Sequence, residues 1–380
     1  MMGAGIVHLL GGVNDLLLIP FIILTGLFVF IVSANQTVIP LLNMLNYRVP
    51  FTILTFFTSF TALILSVFFV NFVEKTAVLW LTGLLMGNAL MLVIGIFYLR
   101  NILSTKRKSS SFDLSFITKG NAYTLAKFAV PVSLATVFMW AQNAGYRISI
   151  ENHIGSHYLG LLGVSFMVAT QLSSVVESIL MQYLQPNFYR CIKGADLEAR
   201  TQAVNAYLGL TIPVYLALAI FLTFSIEYIF PVLVSDEYKE GYKFCIFGVW
   251  LEFFRMVSNA VGTIAHSEVK MKSYMIAYIF GALITNIFVY VAASSPYGAD
   301  FVPIALLFGA VVTCLTMCIA MRRIMSFSLN AFTLLLSVLA ILPCVLYFRL
   351  VSFPPSIGVS YIALLCIGGS LFLSGLTFFI

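Results

Sequence analysis

The sequence predicts an all-α polytopic membrane protein. Of its 380 residues, 61% are hydrophobic and only 9% are charged, whereas soluble domains carry about 25% charged residues. The apolar residues gather in runs long enough to cross a bilayer, which takes about 20 residues of helix. Short polar turns separate the runs, and nearly all the cations lie in those turns. No single compact core could use this much apolar sequence, so lipid is the solvent. The formal charge of +6 belongs to membrane-flanking loops and is no nucleic-acid footprint.

Taken in order, the runs are Leu16–Leu42, Phe51–Phe72, Thr76–Leu99, Ala126–Arg147, Leu159–Leu184, Val204–Ile226, Tyr242–Ala265, Ser273–Val291, Val302–Met321, Ala331–Tyr347 and Ile357–Ile380. That makes about eleven transmembrane helices. Aromatics such as Tyr183, Phe188 and Tyr189 fall at run ends, where interface anchors belong. Fourteen Lys and Arg residues fall in the odd-numbered loops and five in the even ones. The positive-inside rule then puts the odd loops in the cytoplasm, the amino terminus outside and the carboxyl terminus inside. The location expected is the cytoplasmic (inner) membrane, with no cleavable signal peptide.

The longest polar stretch, residues 101–124, reads as a basic cytoplasmic linker around Lys106-Arg107-Lys108. It divides three helices from eight, so two bundles are expected. A linker between rocking bundles and a plain loop beside anionic lipid both fit its charge. Two basic turns echo one another, Leu45–Thr52 and His266–Ser273, as a parallel repeat would.

A membrane helix with one polar stripe points that stripe at protein or water. At 100° per residue, Glu252, Arg255, Asn259, Thr263 and His266 share one face of the Tyr242–Ala265 run. A charge at mid-membrane costs at least ~2.5–3.5 kcal/mol, so the pair Glu252 and Arg255 reads as part of a transport cavity. A satisfied i,i+3 ion pair that only fixes packing is the alternative. The Leu159–Leu184 run offers a second polar face, with Gln171, Ser174, Ser178 and Gln182 together and Glu177 on its flank. Cavity lining and interhelical polar glue both fit it. Glu177 could carry a coupling proton or sodium ion, or be a structural carboxylate. Arg147 at a helix end could face the cavity or snorkel to the interface. Pro213 is expected to kink the sixth run.

Other signals carry less. His153 and His157 have metal-compatible spacing but flank Gly155 in a short turn, so no metal or other cofactor is expected. The six cysteines have no disulfide or metal spacing, and Cys314 with Cys318 reads as small-residue packing. Asn35-Gln36-Thr37 is a glycosylation sequon, placed near the cytoplasmic end of a helix. The chain shows no phosphate-binding glycine loop and no nucleophile elbow, so no enzymatic activity is expected.

Several stretches carry a family resemblance: Phe128-Ala129-Val130-Pro131-Val132-Ser133-Leu134, Gln142–Ile150, His153-Ile154-Gly155, Leu159–Val164 and Gln185-Pro186-Asn187-Phe188-Tyr189-Arg190. They resemble the start of the second bundle in polysaccharide flippases of the multidrug/oligosaccharidyl-lipid/polysaccharide exporter superfamily. Asn43–Arg48 resembles the turn after the fourth helix of that family. On this alignment the first bundle is incomplete, lacking three helices. An odd number of missing helices agrees with an amino terminus outside. The chain also departs from the family at Gly145-Tyr146, where an acidic residue often precedes the arginine. The resemblance implies a partial amino-terminal bundle over residues 1–100, the linker, a second bundle over 125–325 and an extra helix pair over 326–380.

It further implies flipping of a polyprenyl-diphosphate-linked oligosaccharide for surface polysaccharide biosynthesis, by alternating access. Arg255 and Arg147 would then meet the diphosphate, since a guanidinium fork matches paired phosphate oxygens. Glu252 would hold Arg255, Asn259 on the same stripe would also bind substrate, and Gln171, Ser174, Ser178 and Gln182 would meet the sugars. Partners would be the lipid-linked oligosaccharide, membrane lipids, a coupling proton or sodium ion and polysaccharide assembly machinery. The rival readings are a cation-coupled drug exporter, a membrane-embedded polymerase or glycosyltransferase, and a truncated product that does not transport.

Overall fold

The structure is a computed structural model that describes residues 15–73, 76–106, 119–354 and 357–379. Among them every long element is helical, as the composition requires. Among the described residues, ten helices are long and apolar enough to cross a membrane. The chain divides into two compact units, Met1–Phe116 and Ile117–Ile380. The middle of the expected linker, residues 107–118, lies outside the described residues, as does Lys75.

The first unit contains α1 (Asp15–Met44), α2 (Arg48–Phe72) and α3 (Ala77–Lys106). Close packing of α2 on α3 depends on small residues. A Cβ at Gly83 would lie 2.4 Å from the Ser66 Cα, and one at Gly87 would lie 2.4 Å from the Ala62 Cα. Gly83 and Gly87 are four apart, so both face α2, in the manner of membrane small-xxx-small pairs. Ser66 Oγ then reaches the Trp80 carbonyl at 3.1 Å. Asn35 of α1 is buried and donates to the Asn88 carbonyl at 2.8 Å. The sequon asparagine therefore bridges helices. The outward faces keep Phe56, Phe60 and Phe97 exposed, as lipid contact demands.

The second unit begins with α4 (Lys119–Trp140), which continues through a π-helical turn, Ala141–Gly145, into α5 (Tyr146–His153). The expected span Ala126–Arg147 thus belongs to a longer, irregular helix. Gly155, at φ +114°, turns the chain into α6 (Ser156–Ile192), and α7 (Leu197–Leu233) follows. Both are longer than their apolar runs, because polar residues at their ends extend them beyond the hydrophobic stretch. Asp196 caps α7 by accepting from the Ala199 N–H at 2.9 Å. The α7 helix runs unbroken through Pro213. Phe188, expected as an interface anchor, is instead buried against Tyr207 at 5.2 Å between ring centroids.

A 3-10 turn, Asp236–Gly241, leads into α8 (Tyr242–Ser267), α9 (Met271–Ala293) and α10 (Gly298–Arg322). The tenth expected run is two helices, α11 (Ala331–Ala340) and α12 (Leu342–Leu350). Pro343 lies at the start of α12, where its missing N–H breaks the ladder. The last helix is α13 (Val359–Phe379). The core centres on α7 and α8, where Tyr215, Leu222, Ile226, Phe230, Met256 and Ile264 are fully buried. Cys314 lies in this core, and all six cysteines are free thiols.

The two echoing turns share one geometry. Asn46 and Val269 both adopt positive φ, +70° and +55°. After each, an N–H reaches back to close the helix: Tyr47 to Leu42 at 2.9 Å, and Lys270 to Ala265 at 2.9 Å. Asn46 N–H bonds the Asn43 carbonyl and Val269 N–H the His266 carbonyl. Both are Schellman caps.

Candidate functional site

The polar stripe of α8 faces protein. Glu252, one turn before Arg255, accepts from Arg255 Nε at 2.5 Å. The Arg255 Nη2 donates to Glu177 of α6 at 2.8 Å. A second carboxylate thus clamps the guanidinium from a neighbouring helix. Each carboxylate has a further donor: Thr170 Oγ1 bonds Glu252 at 2.7 Å, and Asn259 Nδ2 bonds Glu177 at 3.0 Å. Asn259 in turn accepts from the Tyr278 hydroxyl of α9 at 3.0 Å. Glu177 and Glu252 are 7% and 5% exposed, so these bonds replace the solvation lost on burial.

The cluster borders a cavity of about 960 Å³ that lies wholly within the second unit. Glu177, Gln171, Ser174 and Thr170 of α6 line it, with Glu252 and Arg255 of α8 and Arg147 of α5. Gln142 and Asn143 of the π-turn complete its polar wall. Gln142 Nε2 donates to Thr313 Oγ1 of α10 at 2.7 Å. With two carboxylates around one guanidinium, the cluster has formal charge −1 when both are ionised. The Arg255 Nη1 has no hydrogen-bond partner among the described residues.

Not every residue named from the sequence comes together here. Asn259 stands behind Glu177 rather than in the cavity wall. Ser178 is exposed and donates to the Ser174 carbonyl of its own helix at 2.6 Å. Gln182 is exposed one turn further along α6, away from the cavity lining. The helical-face argument grouped them with Gln171 because it ignores where the neighbouring helices end the cavity.

Thr170, Tyr278 and Gln142 were missed as site residues. Thr170 lies seven residues before Glu177, two turns back on the same face, so the sequence held that signal. Asn259 and Tyr278 lie at equal distances from the turn between α8 and α9, which makes them neighbours once a tight hairpin is assumed. The grip of Gln142 on α10 had no signal, since it joins residues 171 apart.

No family model matches the chain, and no curated protein matches it. Among solved structures it is similar to the lipid II flippase MurJ in an inward closed conformation. The identity is 17%, over 88% of this chain and 69% of that one, with a TM-score of 0.45.

Proposed function

We propose that the protein flips a polyprenyl-diphosphate-linked oligosaccharide across the cytoplasmic membrane by alternating access. The observation that carries this reading is the clamped Arg255 at the polar part of the wall of a cavity inside a membrane-spanning unit. An ionic cluster there is expensive and belongs by default to a transport path. A diphosphate head group cannot cross hydrocarbon bare. Arg255, through its remaining nitrogen, and Arg147 offer it donors, while Gln171 and Ser174 offer hydrogen bonds to sugar hydroxyls. The polyprenyl chain stays in the bilayer. Glu177 takes up the coupling proton or sodium ion, which offsets the excess negative charge beside Arg255.

The same 2:1 ratio of carboxylate to guanidinium favours a second reading, export of a cationic small molecule. Deleting the gene separates the two. Under the first reading, lipid-linked oligosaccharide accumulates on the cytoplasmic side and the surface polymer is lost. Unchanged polymer, with no second flippase present and with raised sensitivity to cationic drugs, would establish the exporter reading instead.

A further inference from the structure

We propose that the π-turn Ala141–Gly145 is a register device that aims Arg147 into the cavity, and that Asn286 and Gly145 hold it in place. At about 100° per residue, an unbroken α-helix would aim Tyr146 and Ile150 within roughly 30° of the line between Gln142 and Asn143. Arg147 would then point roughly 90° away from that line. The structure instead puts Arg147 in the cavity wall, takes Ile150 out of it and leaves Tyr146 as a mostly buried border. Ile150 is fully buried, and Tyr146, at 6% exposure, joins it in one apolar cluster with Leu162 and Val289. Arg147 is exposed and lines the cavity with Gln142 and Asn143.

The π-turn accounts for this. It absorbs one extra residue and so turns the downstream helix back by roughly 100° relative to the upstream one. Ile150 leaves the cavity wall, Tyr146 keeps only a buried border on it, and one exposed cation enters it. Such a turn disturbs the regular backbone ladder and needs outside support. Asn286 of α9 supplies it, donating from Nδ2 to the Ala141 carbonyl at 3.0 Å and to the Ala282 carbonyl of its own helix at 2.8 Å. A Cβ at position 145 would lie 2.9 Å from Asn286 Oδ1. The bare backbone of Gly145 is therefore what lets the amide seat against the turn. Gln142 anchors the other side of the turn to α10.

The proposal rests on the flippase reading only in giving Arg147 a substrate to meet, and its test does not depend on that reading. Single cysteines replace Arg147, Tyr146 or Ile150 in the full-length chain lacking native cysteines, purified in detergent. A water-soluble maleimide reports their accessibility. Arg147→Cys is expected to label several-fold faster than the other two. Faster labelling of Tyr146→Cys or Ile150→Cys than of Arg147→Cys overturns the proposal with no change in chain length. Deleting Ala144 should restore an α-helical register and invert the pattern, protecting position 147 and exposing 146. An unchanged pattern in a monodisperse deletion variant also overturns it. Asn286→Ala, which removes the support without altering length, should raise labelling of Tyr146→Cys. If the pattern inverts while oligosaccharide transport persists, the register device stands and the substrate role of Arg147 falls.

Discussion

Arg255 touches two acidic side chains on two helices, and this changes what its removal means. Arg255→Ala leaves Glu177 and Glu252 facing one another without a counter-charge. An uncompensated buried charge costs ~3–5 kcal/mol. The Arg255 side chain is 23% exposed, so the lower end of that range applies. Folded abundance in the membrane is therefore expected to fall with Arg255→Ala, and to fall less with Arg255→Lys, which keeps the charge but loses the fork. The triple change Glu177→Gln, Glu252→Gln and Arg255→Met removes all three charges together. It should recover abundance, as measured by size-exclusion of a tagged protein, while transport stays lost. Transport by that uncharged triple variant would show that the cluster only holds helices together.

At the scale of elements, the hairpin of α8 and α9 brings Asn259 to Tyr278, and its turn pays a local cost. Val269 is β-branched, 66% exposed and held at φ +55°. A left-handed conformation costs an L-residue roughly 1–2 kcal/mol, and least for Asn. The equivalent turn between α1 and α2 has Asn46 in that place. Val269→Asn is accordingly expected to raise the apparent Tm in detergent by a few degrees, and Asn46→Val to lower it. A fall in Tm on Val269→Asn would mean that the side chain of Val269 matters more than its backbone. Helix breaks follow the same local logic: Pro343 splits the tenth run, whereas Pro213 is carried within a long, well-packed α7.

For the whole molecule, the uneven distribution of cations predicts which side each turn faces. Cys191 is an exposed native thiol at the end of α6, next to Arg190 and Lys193. The 3-10 turn at Asp236–Gly241 is expected on the opposite side. In intact cells, a membrane-impermeant thiol reagent should modify Glu237→Cys and leave Cys191 unlabelled until the membrane is opened. Labelling of Cys191 in intact cells would invert the topology, and with it the direction in which the cavity loads.

Helix type, the rough position of most spans and the identity of the central pair were legible in the chain, because lipid imposes the same demand on every span. Each must be about 20 apolar residues with its backbone bonds made internally, so a charged residue inside a span stands out at once. The one-face stripe from Glu252 to His266 was readable for the same reason: helical periodicity is local. What converges on that stripe was not. Glu177 was placed on the flank of its own helix, and only the packing of α6 against α8 made it a second ligand of Arg255. The π-turn was hidden as well, since Gln142, Asn143, Tyr146 and Ile150 have flawless α-helical spacing. Whether a helix keeps that spacing depends on a distant amide, Asn286, and on the room left by Gly145. Those are contacts between residues far apart in sequence, and only the tertiary structure decides them.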